Sequence, residues 1–234
     1  MNPHVASLPS ARHWPDDPRM PGLTLAQTIV IFARRRSPQL MLMSISVLAI
    51  ARLVVGEVGI WDIALAAALV AFQPFSEWLI HVGILHWRPR KLGPITLDSY
   101  LSWSHREHHK KPHDETWWFI PLRSGIAGYA MIGTVGALLL PTLSLWLTLM
   151  LTATVLGFIY EWTHYLCHAA YRPRSEMYKR IVRHHRWHHF KNEHYWMGVS
   201  RHFGDRVLGT NPHVKDVETS PTCRDLLAAE QQRR

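Results

Sequence analysis

Cysteine is scarce: the chain has 2 in 234 residues, Cys167 and Cys223. Two cysteines build no disulfide framework, which excludes small stapled secreted domains and fits a reducing compartment. Carboxylates are also few. Asp and Glu total 17, no more than the 17 histidines, against 26 Lys and Arg. A metal site in this chain would therefore use an almost all-histidine ligand set, unlike the Glu-rich set of soluble di-iron bundles. The string His-Glu-x2-His is absent, and His105-Arg-Glu107-His108 places its Glu wrongly for that motif's general base. This argues against an intramembrane zinc protease. The first twenty residues hold His4, Pro9, Pro15 and Pro18 but no apolar core, so they do not read as a signal peptide. No repeat of fixed period occurs. No separate basic module can be cut out either, so the formal charge of +9 does not signal nucleic acid.

Apolar residues make up 47% of the chain. They gather in runs at 40–55, 60–85, 125–140 and 143–166, with a short amphipathic stretch at 23–32. A bilayer core about 30 Å thick needs roughly 20 helical residues. The second and fourth runs meet that length. The first and third are marginal and leave a shallow or re-entrant segment open. Lys and Arg crowd into 34–36, 88–91, 110–111 and 172–186, while the turns at 56–59 and 141–142 carry none. The positive-inside rule then puts both termini and the histidine-rich segments on the cytoplasmic side. Arg52 is expected to snorkel to the outer interface. Trp87, Trp103, Trp117, Trp118, Trp162, Trp187 and Trp196 crowd the inner side, most of them as an interfacial belt, with one or two lining an acyl channel. The expected fold is all-α and integral to the membrane: about four transmembrane helices in two hairpins, with a cytoplasmic histidine-rich helical cap holding a dimetal site. Residues 1–38 form an N-terminal tail and interfacial segment, 39–214 the membrane domain, and 215–234 a C-terminal polar tail.

Ten histidines carry the chemistry: His81 and His86, then His105, His108 and His109, then His164 and His168, then His185, His188 and His189. A His-x3-His pair puts both rings on one helix face, and the His-x2-His-His triplets do the same with all three members. The five-residue step from His81 to His86 overshoots a turn, so that pair needs a helix end between them or serves two metals. One histidine alone is more simply a satisfied core or interfacial residue. Ten together would repel one another if protonated, and a metal that keeps them neutral is the economical explanation. Imidazole suits zinc, copper, iron and nickel. Ten ligands exceed what a structural zinc needs and suit a redox pair. A metal transporter would place its ligands near mid-bilayer, not at the inner ends of the spans. His184 offers a competing register with His188 and His189. His113, His194 and His202 fall outside the pattern; His194 and His202 are surplus-ligand or solvated candidates. Glu77, one turn before His81, and Glu161, three residues before His164, are placed to accept an imidazole N–H. Asp114 and Asp205 are second-shell candidates too, or else caps and loop salt bridges.

Three stretches carry a resemblance: 105–114, reading HREHHKKPHD; 160–168, reading YEWTHYLCH; and His188-His-Phe-Lys, followed by Gly198-Val-Ser and Gly209-Thr210. In order and placement they resemble the membrane fatty acid hydroxylase and sterol desaturase superfamily, closest to its fatty acid 2-hydroxylase branch, over roughly residues 70–211. The resemblance implies an O2-dependent oxidoreductase with two Fe ions, replaceable by zinc in purified protein, and O2 as co-substrate. It implies a lipid acyl substrate in the bilayer, hydroxylated at C2, and the ten histidines as metal ligands. It also implies a separate electron-transfer protein, cytochrome b5-like or a ferredoxin with its reductase, since no haem-binding module is read in the sequence. The same ligands would serve desaturation, methyl oxidation or ring hydroxylation of a sterol or carotenoid. One departure stands out: Gly204 precedes Asp205 where family members often have Trp.

Overall fold

The computed structural model describes residues 22–56 and 58–228. The loose tail expected before residue 22, with His4 and His13, therefore lies outside the described residues. The helices follow the apolar runs and their punctuation. The first, α1 (Leu25–Ala33), starts at a Thr24–Gln27 capping box, which satisfies two N–H groups reciprocally. Next come α2 (Arg36–Val55) and α3 (Ile60–Ile80), separated where Gly56 takes φ 89°. Later, α5 (Leu122–Leu139) and α6 (Leu143–His168) meet at Pro141, with Thr142 capping α6 through the Leu145 N–H at 3.2 Å.

Four helical segments are long and apolar enough to cross a membrane: Arg36–Val55, Ile60–Leu85, Glu115–Leu139 and Leu143–His168. The first and third, marginal by composition, hold α-helices of 20 and 18 residues, Arg36–Val55 and Leu122–Leu139. Their outer faces expose large apolar side chains such as Leu53, Val54, Leu138 and Leu139, each at least 75% exposed. Such faces suit a lipid surround. These four helices fit an integral membrane protein. The longest, α6, is the hub: α2, α3 and α5 all pack on it.

At the ends of the spans away from the histidines, Arg52 does not reach out toward solvent. It is buried and donates to Thr148 Oγ1 (3.1 Å) and to the Gly56 carbonyl (2.6 Å), with Asp62 Oδ1 3.2 Å away. Thr148 and Ser144 also donate to Asp62. A charge held at this depth needs such partners, and the network ties α2, α3 and α6 together.

At the opposite end sits the cap. It comprises a short hairpin of β1 (Arg90–Leu92) and β2 (Ile95–Leu97), then α4 (Tyr100–Lys110), α7 (Glu176–Phe190) and α8 (Phe203–Val207). Ser99 and Ser175 cap α4 and α7. Phe32 of α1 packs on Trp162 and Tyr165, which places α1 in the core beneath the cap. Of the seven tryptophans expected at the interface, Trp103 is exposed, Trp87, Trp117, Trp162 and Trp187 are half-buried, and Trp118 and Trp196 are buried in the cap. The expected boundary at residue 38 falls inside α2. Nor do residues 217–226 behave as a polar tail: Val217, Thr222, Cys223 and Leu226 are buried, and Ser220 N–H bonds the Lys191 carbonyl at 2.7 Å.

Candidate metal centre

The ten histidines fall into two groups of five, each able to hold a metal ion. One is His81, His86, His105, His109 and His188; the other is His108, His164, His168, His185 and His189. Within each group the ligand atoms lie within 4.8 Å of one another.

The turns of the helices explain the sorting. Between His81 and His86 the chain widens into a π-helical turn, and the His86 N–H reaches the His81 carbonyl at 3.0 Å. A five-residue repeat realigns two side chains on a π turn as a four-residue repeat does on an α-helix. Both rings therefore join one group. On α4, His105 and His109 point into the first group and His108 into the second. On α7 the pattern inverts: His185 and His189 enter the second group and His188 the first. The triplets thus do not present all three rings to one ion. A three-residue step is about 60° short of a turn, enough to carry the middle ring to the neighbouring site.

The tautomers are fixed by backbone. A carbonyl can only accept, so each Nδ1 that meets one carries the proton. His81 donates to Met197 (2.6 Å), His109 to Cys223 (2.9 Å), His164 to Trp118 (2.8 Å) and His188 to Tyr195 (2.9 Å). This leaves the Nε2 lone pairs facing inward. His105 Nε2 lies 3.2 Å from the Nε2 atoms of both His81 and His109. His185 Nε2 lies 2.8 Å from that of His168 and 3.1 Å from that of His189. Two imidazole nitrogens each about 2.1 Å from one ion are roughly 3 Å apart, so these separations fit shared coordination. His86 Nε2, both ring nitrogens of His108, and His188 Nε2 are buried with no hydrogen-bond partner. Such orphans are costly unless an ion takes the lone pair. Burial first, and the neighbouring histidines second, hold His86, His105, His108, His185 and His189 well below the usual histidine range. Burial also lowers His188, and it takes His109 down to about 3 against the opposing Cys223 hydrogen bond. Neutral imidazole is the form that binds metal.

The four acidic candidates touch no ligand histidine. Glu77 accepts instead from Gln73 and Ser200 side chains and from the Val199 and Ser200 N–H groups. Asp205 accepts from Met197 N–H and Gly198 N–H, both at 2.8 Å, and from Thr210 Oγ1 at 2.6 Å. Both carboxylates therefore pin the 197–200 loop, whose Met197 carbonyl orients His81. Glu161 accepts from Ser37 Oγ and from Ile120 N–H at 2.8 Å, two residues after the Trp118 carbonyl that orients His164. Asp114 caps a short 3-10 turn through Thr116 N–H. Helical spacing placed these carboxylates near the histidines but could not show that backbone N–H groups would claim them first.

His184 stays outside both groups, its ring tilted against that of His202 at 4.0 Å between centroids. His185 thus supplies the α7 register. His113 stacks on Phe190 at 5.8 Å, and the His194 side chain is 63% exposed. Sequence reasoning missed the carbonyls at 118, 195, 197 and 223, because every residue has one. One signal exists in the backbone alone: buried Trp196 takes φ 55°. That left-handed turn lets the flanking carbonyls of Tyr195 and Met197 serve two histidines of the same group. Gly204 is explained by contact. A Cβ there would lie 2.5 Å from the Pro74 carbonyl of α3, so a larger residue would push α8 away.

Two cavities adjoin the site. A small pocket beside His105 and His164, one from each group, is walled by Leu85, Leu101, Phe119 and Tyr160. A groove of about 840 Å³ runs between α2 and α5 over α6, lined by Met41, Val47, Ile126 and Met150 among others. Ser37 lines the groove and Glu161 the pocket, and their hydrogen bond separates the two.

Residues 66–210 match the family described as fatty acid hydroxylase. A dihydroceramide fatty acyl 2-hydroxylase of Arabidopsis thaliana is 27% identical over 151 residues, 59% of this chain and 56% of that protein. The chain thus spans little more than half the length of that relative. In fold it is similar to a solved structure of full-length Scs7p in which only the hydroxylase domain is visible. The TM-score is 0.59 at 18% identity, covering 85% of this chain and 70% of the other.

Proposed function

The chain belongs to the fatty acid hydroxylase family, and from that premise we propose that it is a membrane-bound di-iron oxygenase that hydroxylates a lipid acyl chain at C2. The observation that carries this reading is the pair of buried five-histidine groups at the ends of apolar helices. The position on the acyl chain is supported by the Arabidopsis relative, which is named as an acyl 2-hydroxylase. When bound, an iron pair would activate O2 and remove hydrogen from an unactivated C–H bond, which redox-inactive zinc cannot do.

The protein supplies the rest. His81, His86, His105, His109 and His188 would hold one ion, and His108, His164, His168, His185 and His189 the other. The carbonyls of Met197, Cys223, Trp118 and Tyr195 keep Nδ1 protonated, so each Nε2 is a lone-pair donor from the start. The apolar groove suits an acyl tail. The small pocket suits the reacting carbon, because it touches one histidine of each group and its apolar walls exclude water. Glu161 and Ser37 hold the entrance between them. Two electrons come from a separate donor protein, and the basic residues at the histidine end support a cytoplasmic site.

Lipid mass spectrometry tests the proposal. Total fatty acids are compared between cells expressing the wild-type chain and cells expressing a His108→Ala, His109→Ala double variant. New 2-hydroxy acids in the wild type alone are expected. An oxidised sterol or carotenoid in their place overturns the acyl substrate. Hydroxy acids made equally by the double variant overturn the histidine site.

A further inference from the structure

Hydroxylation of a methylene group needs more than O2. R–CH2–R′ + O2 + 2 e− + 2 H+ gives R–CH(OH)–R′ + H2O, so two electrons must reach a buried centre from outside it. One patch of surface lies a single ring away from that centre. Helix α7 buries Ile181, Val182, His185, His188 and His189 and turns Lys179, Arg180 and Arg183 outward. Lys179, Arg183, Arg186 and Phe190 follow at steps of four, three and four, which is one stripe on the helix.

A surface recess of about 560 Å³ sits on this stripe, with Arg172, Lys179, Arg183 and Arg186 around Trp187 and Phe190. Arg224 adds a further cation 4.9 Å over the Phe190 ring. Glu176 pairs with Lys179 at 2.7 Å and leaves the patch net positive. Phe190 is 37% exposed, and its ring centroid is 6.4 Å from that of His189, which is fully buried in the second group. Trp187 directly precedes His188 of the first group and packs on buried Trp196 at 5.3 Å. The floor of the recess therefore meets the outside at one end and, through Phe190, His189 of the second group at the other.

We propose that this recess is the docking site of an acidic one-electron carrier protein, which delivers its electrons through the Phe190 and Trp187 rings. The proposal rests on the oxygenase reading. Each encounter oxidises one reduced carrier, and two encounters supply one turnover. Charge complementarity favours this occupant: redox encounters use small interfaces whose opposite charges speed association. An anionic lipid headgroup would use the cations but has no need of rings that lead to the histidines.

The test measures binding, not turnover, so it stands even if the oxygenase reading fails. Zinc-loaded full-length protein in detergent is immobilised, and the soluble haem domain of a cytochrome b5 and a plant-type ferredoxin, both acidic, are passed over it at about 50 mM salt. At least one carrier should bind. Arg183→Glu and Lys179→Glu should each weaken it about tenfold or more and flatten its salt dependence. Arg123→Glu, the same charge change on α5, should leave the affinity within about twofold of wild type. The proposal is overturned if neither carrier binds the wild type, if Arg183→Glu and Lys179→Glu bind like wild type, or if Arg123→Glu weakens binding equally. It is also overturned if the α7 variants lose only binding to phosphatidylserine vesicles, which would assign the recess to lipid.

Discussion

Asp205→Asn offers a sharp probe of how the first histidine group is held. Asp205 is fully buried and accepts three hydrogen bonds, from Met197 N–H, Gly198 N–H and Thr210 Oγ1. Asparagine keeps one oxygen, which can still serve Met197 and Thr210. Its NH2 group must then face the Gly198 N–H, donor against donor. One charge-assisted bond is lost, about 1.5–3 kcal/mol, and a buried N–H is left unsatisfied, about 1–3 kcal/mol more. The Gly198 loop must move to relieve this, and it has little room. A Cβ on Gly198 would already be 2.3 Å from the Arg201 carbonyl, so the backbone there is close-packed. Movement displaces the Met197 carbonyl that orients His81 Nδ1. Loss of such an orienting partner typically costs about 10–100-fold in metal affinity. The effect should stop at one ion, because the Trp118 carbonyl that orients His164 of the second group, and the Cys223 carbonyl that orients His109, lie outside this loop. The assay is metal stoichiometry on the purified variant against a competing chelator. The expected result is one ion per chain released at about 10–100-fold lower chelator than the other. If both ions of the variant are held as in wild type, the path from Asp205 through Met197 to His81 carries no energy and the reasoning fails.

Four further expectations follow from the same geometry. His109→Ala should empty the first group and His164→Ala the second, each variant retaining near one equivalent of metal by elemental analysis. Metal-free protein should lose stability as pH falls through about 6.5, because the unfolded chain takes up protons that the buried histidines refuse. The loss should continue until the folded values are reached, about 3 for His109, and melting at about pH 8 and about pH 5.5 measures it. Arg52→Leu should lower the melting temperature by stranding Asp62, and Arg52→Leu with Asp62→Leu should recover much of the loss; no recovery would mean the network holds no helices together. Gly204→Ala should destabilise by about 1–3 kcal/mol through overpacking on Pro74, seen as a lower melting temperature.

The four spans were legible because each apolar run is long and bounded by Gly, Pro or basic residues. That the ten histidines gather together was legible from type and spacing. Their division between two groups was not, because a three-residue step on a helix keeps two rings near one another without saying which cavity each enters. His108 and His188 change sides on that ambiguity. The π turn at His81–Leu85 was half-legible: the five-residue step demanded a break in the α-helix but not its form. Glu77 and Glu161 were misjudged because spacing reports proximity along one helix, whereas their partners come from residues 198–200 and from Ser37 and Ile120. The 215–234 segment looked like a tail because it is polar. Its structural contribution is a backbone carbonyl at Cys223, which no composition reveals.

The exchange of His108 and His188 between the two groups has a consequence for biogenesis. The first half of the chain provides four ligands of one site and the second half four of the other, yet each site waits for one ring from the opposite half. A ribosome adding about 5–20 residues per second needs roughly 5–20 s to pass from His81 to His188. During that interval the nascent chain has no closed cage, and an ion caught early is held by an incomplete set and can leave. On the proposed di-iron reading, metal insertion therefore becomes a late step, coupled to completion of the bundle, and a truncated chain is denied a finished site.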